Sequence, residues 1–372
     1  MKPNSNRLVV VKLGTSTLTA GTPYLSPPRL VDLARQVSVL HAENRDVVIV
    51  SSGAIAAGLE RLKFPHLPKD IPAKQMLAAV GQLRLMALYE QVFGLYGLTI
   101  AQVLLTRADL SDRRRYLNSR NTLAALTAQR VIPVVNENDT VATEEIRLGD
   151  NDNLSALVAN LIEADLLVLL TDQPGLFTAD PRLEPDARLI HQVSGSEISP
   201  AVWQAAGGAQ SGLGTGGMQT KLQAADLARR SGTRVVIASG SEPDVLVRLA
   251  AGETLGTHFL PLVTTLEARK RYLLAARRIL GVIHVDEGAA AALHRGGSLL
   301  PVGVVEVTGV FERGDIVKLC DPKGTELGRG IVNYASDDLL HIRGLKSDAI
   351  EAALGYFYGE EVLHHNNMVL VW

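Results

Sequence analysis

The sequence predicts an α/β protein. Its first and larger part holds a mostly parallel β-sheet sandwiched by helices, and a small β-barrel-like part follows. Two observations predict this. Over about the first 250 residues, short β-branched apolar runs alternate with longer stretches of helical period, which is typical of βαβ units. After about residue 262 the apolar runs become short and closely spaced, with glycine-rich turns between them.

The predicted strands of the first part are apolar on both faces, as strands between two helical layers are. They are Leu8–Leu13, Val47–Val50, Thr99–Leu105, Val131–Val135, Leu166–Leu170 and Arg234–Ala238. The predicted helices between them are Pro28–Ala42, Ala73–Phe93, Leu117–Gln129, Asn153–Glu163 and Met218–Arg230. Because ligands bind at the carboxyl ends of the strands in such sheets, we expect the chemistry just after the apolar runs.

The chain of 372 residues is long enough for two or three domains, and we place the boundaries at 1–262, a linker at 263–279, and 280–372. The basic segment Glu267–Arg278 is interpreted as a linker or hinge, with a solvated helix face as an equal alternative. The predicted strands beyond it are Val282–Val285, Val302–Thr308, Ile316–Cys320, Gly328–Asn333 and Met368–Val371.

Composition excludes several classes of protein. With 47% hydrophobic and 20% charged residues the chain is globular rather than disordered or fibrous. The net charge of −2 gives no chain-wide basic bias toward nucleic acid. A single cysteine, Cys320, permits neither an intrachain disulfide nor a multi-cysteine metal site. No apolar run approaches the ~20 residues of a membrane helix and no signal peptide is recognisable, so we expect a cytoplasmic protein.

The first two strands end in residues suited to bind an anion. Lys12 stands inside an apolar run, which is costly unless its amine reaches water or an anion, and Gly14 lets backbone amides approach a phosphate. The second strand runs through Ser51 and Ser52 into a helix start, where free amides attract anions. A strand-end lysine reaching water and ordinary helix capping by a serine are the alternatives.

The fourth and fifth strands are followed by polar residues. Asn136–Asp139 and then Gly149–Asn153 form the densest polar patch, which suits an α-amino group, a metal, or the positioning of lysines. Either Asp152 or Asn153 is expected to cap the next helix. The fifth strand runs into Asp172, whose carboxylate suits a nucleotide edge or ribose.

A glycine-rich segment, Ser211–Lys221, opens an amphipathic helix and places a lysine in its first turn, which predicts an anion loop. A Walker A loop is excluded because Met218 follows Gly217 where a lysine is required. Gly212–Gly217 matches G-x-G-x-x-G, but no strand directly precedes it, so a dinucleotide site is rejected.

Taken in order, these motifs resemble the amino acid kinase family, and Lys74–Gln82 strengthens the resemblance. Val285–Gly303 resembles part of a PUA domain. Together the two resemblances cover essentially the whole chain, and they imply the amino acid kinase fold followed by a PUA domain. The motifs that carry the kinase resemblance are Val11–Ser16, Ser51–Ala54, Asn136–Asp139, Gly149–Asn153 and Gly214–Lys221.

The resemblance implies a role for each matching residue. Lys12 and Lys221 would flank the transferring phosphoryl group, and Asp152 would hold both lysines. The amino acid substrate would be bound by Ser52, Asn136, Asp139, Asp150 and Asn151. ATP would be bound by Lys12, Thr171, Asp172, Thr215, Gly216, Gly217, Met218, Gln219, Thr220 and Lys221. Gln219 departs from the small serine of many relatives, and no direct metal ligand is assigned.

The activity that the resemblance implies is ATP- and Mg²⁺-dependent phosphorylation of the γ-carboxylate of L-glutamate, the first step of proline biosynthesis. It also implies feedback inhibition by proline and a homo-oligomer, either a dimer or a tetramer. A carboxylate is already a nucleophile at neutral pH, so such an enzyme needs no general base. The sequence accordingly contains no recognisable nucleophile–base arrangement around its histidines.

Two alternatives stay open. A relative could act on another acid, such as N-acetylglutamate, aspartate or a small phosphate. A PUA domain could instead make this an RNA-binding or RNA-modifying protein. Charge argues against the second alternative, because the segment from Leu280 to Trp372 holds seven Lys and Arg against thirteen Asp and Glu, a net of −6. A surface that binds RNA needs cations.

Overall fold

The structure is a computed structural model of the chain. It describes residues 7–64, 66–142, 151–181, 183–207, 217–274 and 279–371, without the side chains of 269–272. Backbone contacts divide it into two compact units. The first comprises the chain up to Leu110 together with Ser119–Thr265, and the second comprises Ser111–Asn118 together with the chain from Leu266 onward.

Strands and helices alternate through most of the chain, as the sequence pattern predicts. The strands are β1 Leu8–Leu13, β2 Asp46–Ser51, β3 Ile100–Leu105, β4 Ile132–Glu137, β5 Leu166–Thr171, β6 Gln192–Val193, β7 Arg234–Ser239, β8 Thr257–Phe259, β9 Gly281–Val285, β10 Val304–Gly309, β11 Ile316–Cys320, β12 Glu326–Ile331 and β13 Met368–Leu370.

The α-helices follow the same order along the chain. They are α1 Thr15–Thr19, α2 Pro27–Ala42, α3 Ala54–Leu62, α4 Ile71–Gly94, α5 Arg107–Ser111, α6 Arg113–Ala128, α7 Asn151–Leu161, α8 Pro200–Ala206, α9 Met218–Arg230, α10 Val245–Ala250, α11 Thr265–Leu274, α12 Glu287–His294, α13 Ser336–Ile342 and α14 Ile350–Leu354. None of the described helices is long and apolar enough to cross a membrane.

The first unit is built on a sheet with the strand order β3-β4-β2-β1-β5-β7-β8-β6. Every pairing in it is parallel except that of β7 with β8. β1 is the central strand, and five of its six residues are buried. The predicted mostly parallel sheet is therefore confirmed. Strands β8 and β6, which run antiparallel to the rest of the sheet, are not predicted from the sequence. They are only three and two residues long, which is too short to show an alternating pattern of apolar residues.

Helices cover the sheet on both faces. Alternate residues of β1, such as Val9 and Val11, pack into one apolar core with α2, α4 and α10. Successive side chains of a strand point to opposite faces. Lys12 therefore points to the other face, where its amine meets Asp152 of α7. Both faces of β1 are thus buried, and the face opposite this core, which also carries Val10, holds the buried amine of Lys12.

The strand register brings several carboxyl ends to one level. Leu13 pairs with Ser51 of β2 on one side and with Leu170 of β5 on the other. Val50 of β2 pairs with Val135 of β4, so Ser51 and Asn136 also lie level. Residues separated by many positions in sequence therefore meet at one edge of the sheet, where parallel sheets bind ligands.

The second unit contains a sheet with the order β10-β9-β11-β12-β13. β9 and β11 pair in parallel, and the other pairings are antiparallel. The predicted strand at Val302–Thr308 begins two residues late, because Pro301–Gly303 forms a 3₁₀ turn. The described part of the basic segment Glu267–Arg278 is helical, since α11 spans Thr265–Leu274, which corresponds to the helix alternative.

Two glycines let α3 and α4 touch backbone to backbone. A Cβ atom added at Gly81 would lie 1.7 Å from the carbonyl oxygen of Ala54, and one added at Gly58 would lie 2.0 Å from that of Leu77. Atoms cannot approach so closely, so only glycine fits at either position. This contact fixes the start of α3, which directly follows Ser52 and Gly53.

The helix contact generates a test of packing. We expect Gly81→Ala to lower the free energy of unfolding by about 1–3 kcal/mol, because the added methyl group must push α4 away from α3. Gly94→Ala, in the last turn of the same helix, adds its methyl group in open space and is the matched control. Urea denaturation of both variants measures the difference, and equal midpoints would contradict this account of the contact.

Candidate active site

One carboxylate joins two lysines from distant parts of the chain. Lys12 Nζ lies 2.5 Å from Asp152 Oδ1, and Lys221 Nζ lies 3.1 Å from Asp152 Oδ2. All three groups are buried, with exposed fractions of 4% for Lys12, 6% for Lys221 and 0% for Asp152. A family resemblance predicts that these three residues act together, and the structure brings them together.

The electrostatics of this triad keep the carboxylate ionised. Burial by itself would raise the pKa of Asp152, but the ammonium groups of Lys12 and Lys221 outweigh it, helped by a hydrogen bond from Thr220. The pKa of Asp152 is therefore held well below its ordinary value. Two ammonium groups and one carboxylate carry a net charge of +1, which suits an anionic ligand.

Local structure explains how each member of the triad reaches the others. Lys12 is the penultimate residue of β1, and Gly14 follows the end of this strand. A Cβ atom added at Gly14 would lie 3.5 Å from Lys12 Nζ, so the amine passes close to the backbone there. Asp152 and Lys221 lie in the first turns of α7 and α9. Thr220 Oγ1 lies 2.8 Å from both Asp152 Oδ2 and the carbonyl oxygen of Gly217, which ties α9 to α7.

The predicted capping role of Asp152 and Asn153 is wrong. α7 begins at Asn151, so both residues lie inside its first turn. Sequence alone could not decide between a cap and an interior position, because Asp and Asn are common at both the cap and the first turn. The difference matters for chemistry, since a first-turn position lets Asp152 point at the two lysines.

A network of amides lies at the ends of β2 and β4. Asn151 Nδ2 lies 2.6 Å from the carbonyl oxygen of Ser51, 3.2 Å from Ser52 Oγ and 2.9 Å from Asn136 Oδ1. Asn136 in turn donates from Nδ2 to Gln82 Oε1 at 2.7 Å. Asn136 is 1% exposed. The structure therefore groups three of the predicted substrate residues, Ser52, Asn136 and Asn151.

Two residues of α4 belong to this network, although the sequence analysis gave neither of them a role. One is Gln82, and the other is Tyr89, whose hydroxyl lies 2.8 Å from Ser51 Oγ. Ser51 Oγ also lies 2.9 Å from the carbonyl oxygen of Ser52, to which it donates, and either hydroxyl can be the donor in the contact between Ser51 and Tyr89. Burial raises the pKa of Tyr89 more than the contact with Ser51 lowers it, which keeps the phenol protonated. Gln82 and Tyr89 are seven residues apart, about two helical turns, so they lie on the same side of α4. This spacing of two polar side chains is the signal in the sequence that could have identified them.

Of the remaining predicted residues, Thr171 is buried, and Asp139, Asp172 and Gln219 are less enclosed. Thr171 ends β5 and donates to Asp172 Oδ1 at 3.0 Å, and Asp172 is exposed. Gln219 is also exposed, and Asp139 is half-buried in the turn after β4. Gly217 precedes α9, and Met218 begins it. The predicted site residues that lie outside the described part of the chain are Asp150, Thr215 and Gly216.

Protein side chains offer no preformed cage for a metal in the part of the chain that the structure describes. No group of three or more His, Cys, Asp or Glu residues there could hold an ion. Mg²⁺ in phosphoryl-transfer enzymes usually keeps several waters and binds phosphate oxygens with only one or two carboxylates.

Comparison with known proteins gives a consistent picture. A profile of the amino acid kinase family matches residues 7–239, and a profile of the PUA domain matches residues 281–354. A glutamate 5-kinase of Photobacterium profundum is 56% identical over 98% of this chain and 96% of its own. Glutamate 5-kinases of Deinococcus radiodurans and Dehalococcoides mccartyi are 55% and 52% identical, over 98% and 100% of this chain and 99% and 100% of theirs. The two lysines bridged by one carboxylate at the edge of a parallel sheet are consistent with these matches. The matches show that the chain belongs to the amino acid kinase family.

Proposed function

We propose that this protein transfers the γ-phosphoryl group of ATP to the γ-carboxylate of L-glutamate. The products are ADP and L-glutamyl 5-phosphate, and the reaction is the first step of proline biosynthesis. The observation that carries the proposal is the buried bridge of Lys12 and Lys221 through Asp152. Glutamate is proposed as the substrate because relatives named glutamate 5-kinase are up to 56% identical over nearly the whole chain.

The lysines address the main obstacle to this reaction. The attacking carboxylate and the triphosphate are both anions, so repulsion opposes their approach. Phosphoryl transfer depends chiefly on positioning and on cations around the transferring group. In our proposal Lys12 and Lys221 flank that group and stabilise its charge, while Asp152 keeps the two ammonium groups aligned. Glutamate is already ionised at neutral pH, so no side chain has to remove a proton.

We assign the nucleotide to the edge formed by β5 and α9. Thr171 and Asp172 follow β5, and the segment from Gly217 to Lys221 begins α9 with backbone amides that suit phosphate. Thr215 and Gly216, outside the described residues, are proposed to bind ATP as well. Mg²⁺ enters bound to ATP and neutralises part of the phosphate charge.

We assign glutamate to the amide network. Asn151 uses both protons of Nδ2 on protein groups, and its Oδ1 accepts no hydrogen bond from the described residues, which leaves an oxygen for the α-ammonium. Ser52 Oγ accepts from Asn151 and keeps its own proton to donate to a substrate carboxylate. Asp139 adds negative charge for the ammonium, and Asp150 is proposed to act with it. Asn136 is engaged by protein groups, so we assign it to positioning.

Other features are inferred from the family. Proline is proposed as a feedback inhibitor and a homo-oligomer, dimer or tetramer, as the assembly, with the cytoplasm as the location. Among alternative substrates, N-acetylglutamate has no free α-ammonium, so it would not match the acceptor oxygen of Asn151 or the carboxylate of Asp139.

The function is tested by trapping the acyl phosphate. Purified protein with ATP, Mg²⁺, glutamate and hydroxylamine is expected to form γ-glutamyl hydroxamate, and proline is expected to reduce the rate. Aspartate, N-acetylglutamate and a reaction without amino acid serve as controls in the same assay. Hydroxamate that forms equally well from N-acetylglutamate would overturn the proposed substrate, and none from glutamate would overturn the reaction.

The two lysines generate a second prediction. We expect Lys12→Met and Lys221→Met each to lower kcat about 10²–10³-fold, as the loss of a preorganised charge donor does. Each variant keeps one lysine against Asp152, so the protein should remain folded. Lys69→Met, at an exposed position, is the matched control and should leave kcat unchanged. A near-normal kcat in either site variant, measured by ADP release, would contradict the assigned role.

The charge of Asp152 generates a third prediction. Its folded-state pKa lies below the ordinary value of 3.8, so the ionised group contributes stability that is fully present above about pH 4. That contribution is lost only as the pH falls through the lowered folded-state pKa. Asp152→Asn leaves two buried ammonium groups facing a neutral amide, and we expect a loss on the order of 3–5 kcal/mol.

Thermal unfolding at several pH values measures this loss. We expect the difference between the wild type and Asp152→Asn to be no smaller at about pH 5 than at about pH 7, because the wild-type carboxylate is ionised throughout that interval, whereas the unpaired lysines of the variant are more fully charged at the lower pH. A difference that shrinks between pH 7 and pH 5 would mean that the carboxylate takes up protons in that interval, against the lowered pKa.

A further inference from the structure

Helix α4 carries polar side chains on a face that is otherwise apolar. Leu77, Leu85 and Leu88 are buried on this helix, yet Gln82 lies among them and its Oε1 accepts a hydrogen bond from Asn136. Asn136 contacts Gln82 through its Nδ2 and Asn151 through its Oδ1, so a chain of hydrogen bonds connects Gln82 with Asn151.

The contact with Gln82 holds the orientation of the Asn136 amide together with the backbone N–H of Glu137. Because Nδ2 of Asn136 donates to Gln82 at 2.7 Å, its Oδ1 faces the opposite way. There Oδ1 accepts from the backbone N–H of Glu137 and from Asn151 Nδ2, both at 2.9 Å. A carbonyl oxygen has two lone pairs, so these two donors occupy it fully.

The orientation of Asn136 then fixes that of Asn151. With an acceptor at Asn136 Oδ1 and another at the Ser51 carbonyl oxygen, the amide of Asn151 must present its nitrogen to the protein. Its oxygen is consequently the atom left for a ligand. An oxygen accepts hydrogen bonds and an ammonium group only donates them, so this orientation favours a ligand that carries a free amine.

Gln82 maintains this arrangement at a cost to stability. Its Nε2 atom is buried and has no hydrogen-bond partner among the residues that the structure describes. An unsatisfied buried donor is unfavourable, and a purely structural position would be filled better by an apolar side chain. The retained amide is therefore explained by what its oxygen does for Asn136.

We propose that Gln82 is a positioning residue that sets the direction of the Asn136 and Asn151 amides and thereby selects substrates with a free α-ammonium group. The proposal rests on the proposed function, since it takes glutamate as the ligand of Asn151. It adds a specificity determinant that touches no substrate atom. Three side chains form the relay, Gln82 to Asn136 to Asn151.

The test compares two ligands that differ only in the amine. Glutamate carries the α-ammonium group, and glutarate has the same carboxylates without it. For the wild type, Gln82→Met and Gln91→Met, we would measure kcat and KM for glutamate, KM for ATP, and the inhibition constant of glutarate against glutamate. Methionine keeps the length of glutamine but accepts no comparable hydrogen bond. Gln91 is exposed on the same helix and is the matched control.

We expect Gln82→Met to raise KM for glutamate about tenfold, the factor that one well-placed hydrogen bond supplies. The inhibition constant of glutarate and KM for ATP should each change less than about twofold. Tm should stay close to that of the wild type, because one unsatisfied donor, Gln82 Nε2, is exchanged for another, Asn136 Nδ2. Gln91→Met should match the wild type in every measurement.

Equal weakening of glutamate and glutarate, or an unchanged KM for glutamate, would overturn the relay. A fall in Tm accompanied by equal losses for both ligands would assign Gln82 a structural role instead. The wild-type hydroxamate assay separates these results from a failure of the proposed function. If the wild type forms the hydroxamate and Gln82→Met does not discriminate between the ligands, only the relay is wrong.

Discussion

The site depends on one carboxylate that two buried lysines share. A single buried ammonium group without a counter-ion would lose its proton or destabilise the fold, and two close together would also repel each other. Asp152 removes both difficulties, with Lys12 at 2.5 Å and Lys221 at 3.1 Å. The triad keeps one net positive charge in a place shielded from water, where charge acts more strongly on an anion than it would at the surface.

The parallel sheet makes this arrangement possible. Lys12 is contributed by the central strand, and Asp152 and Lys221 come from the first turns of α7 and α9. Helix starts and strand ends meet at one edge of such a sheet, so residues far apart in sequence converge there without irregular backbone. The close packing of α3 on α4, which requires Gly58 and Gly81, fixes the segment around Ser52 at the same edge.

The lysine triad and the amide network, the two halves of the site, depend on different interactions. On the lysine side, charge dominates, and a carboxylate sets its distribution. On the amide side, neutral groups dominate, and what matters is which atom of each amide faces the ligand. Gln82 and Tyr89 show that α4 supports this side from behind, through Asn136 and Ser51. Gln82 keeps a buried donor without a partner among the described residues, which costs stability.

The sequence is enough to predict the fold class, the central strands and the polar residues that follow them, because buried strands and amphipathic helices have different periods. It could group Lys12, Asp152 and Lys221 only through a family resemblance. Tertiary structure decided that Asp152 lies inside a helix rather than capping it, and that Gln82 and Tyr89 join the site. These contacts join residues such as Asp152 and Lys221, 69 positions apart, and depend on how helices pack on the sheet. Local pattern carries no information about that packing, so the direction of each amide and the sharing of one carboxylate are properties of the folded chain alone.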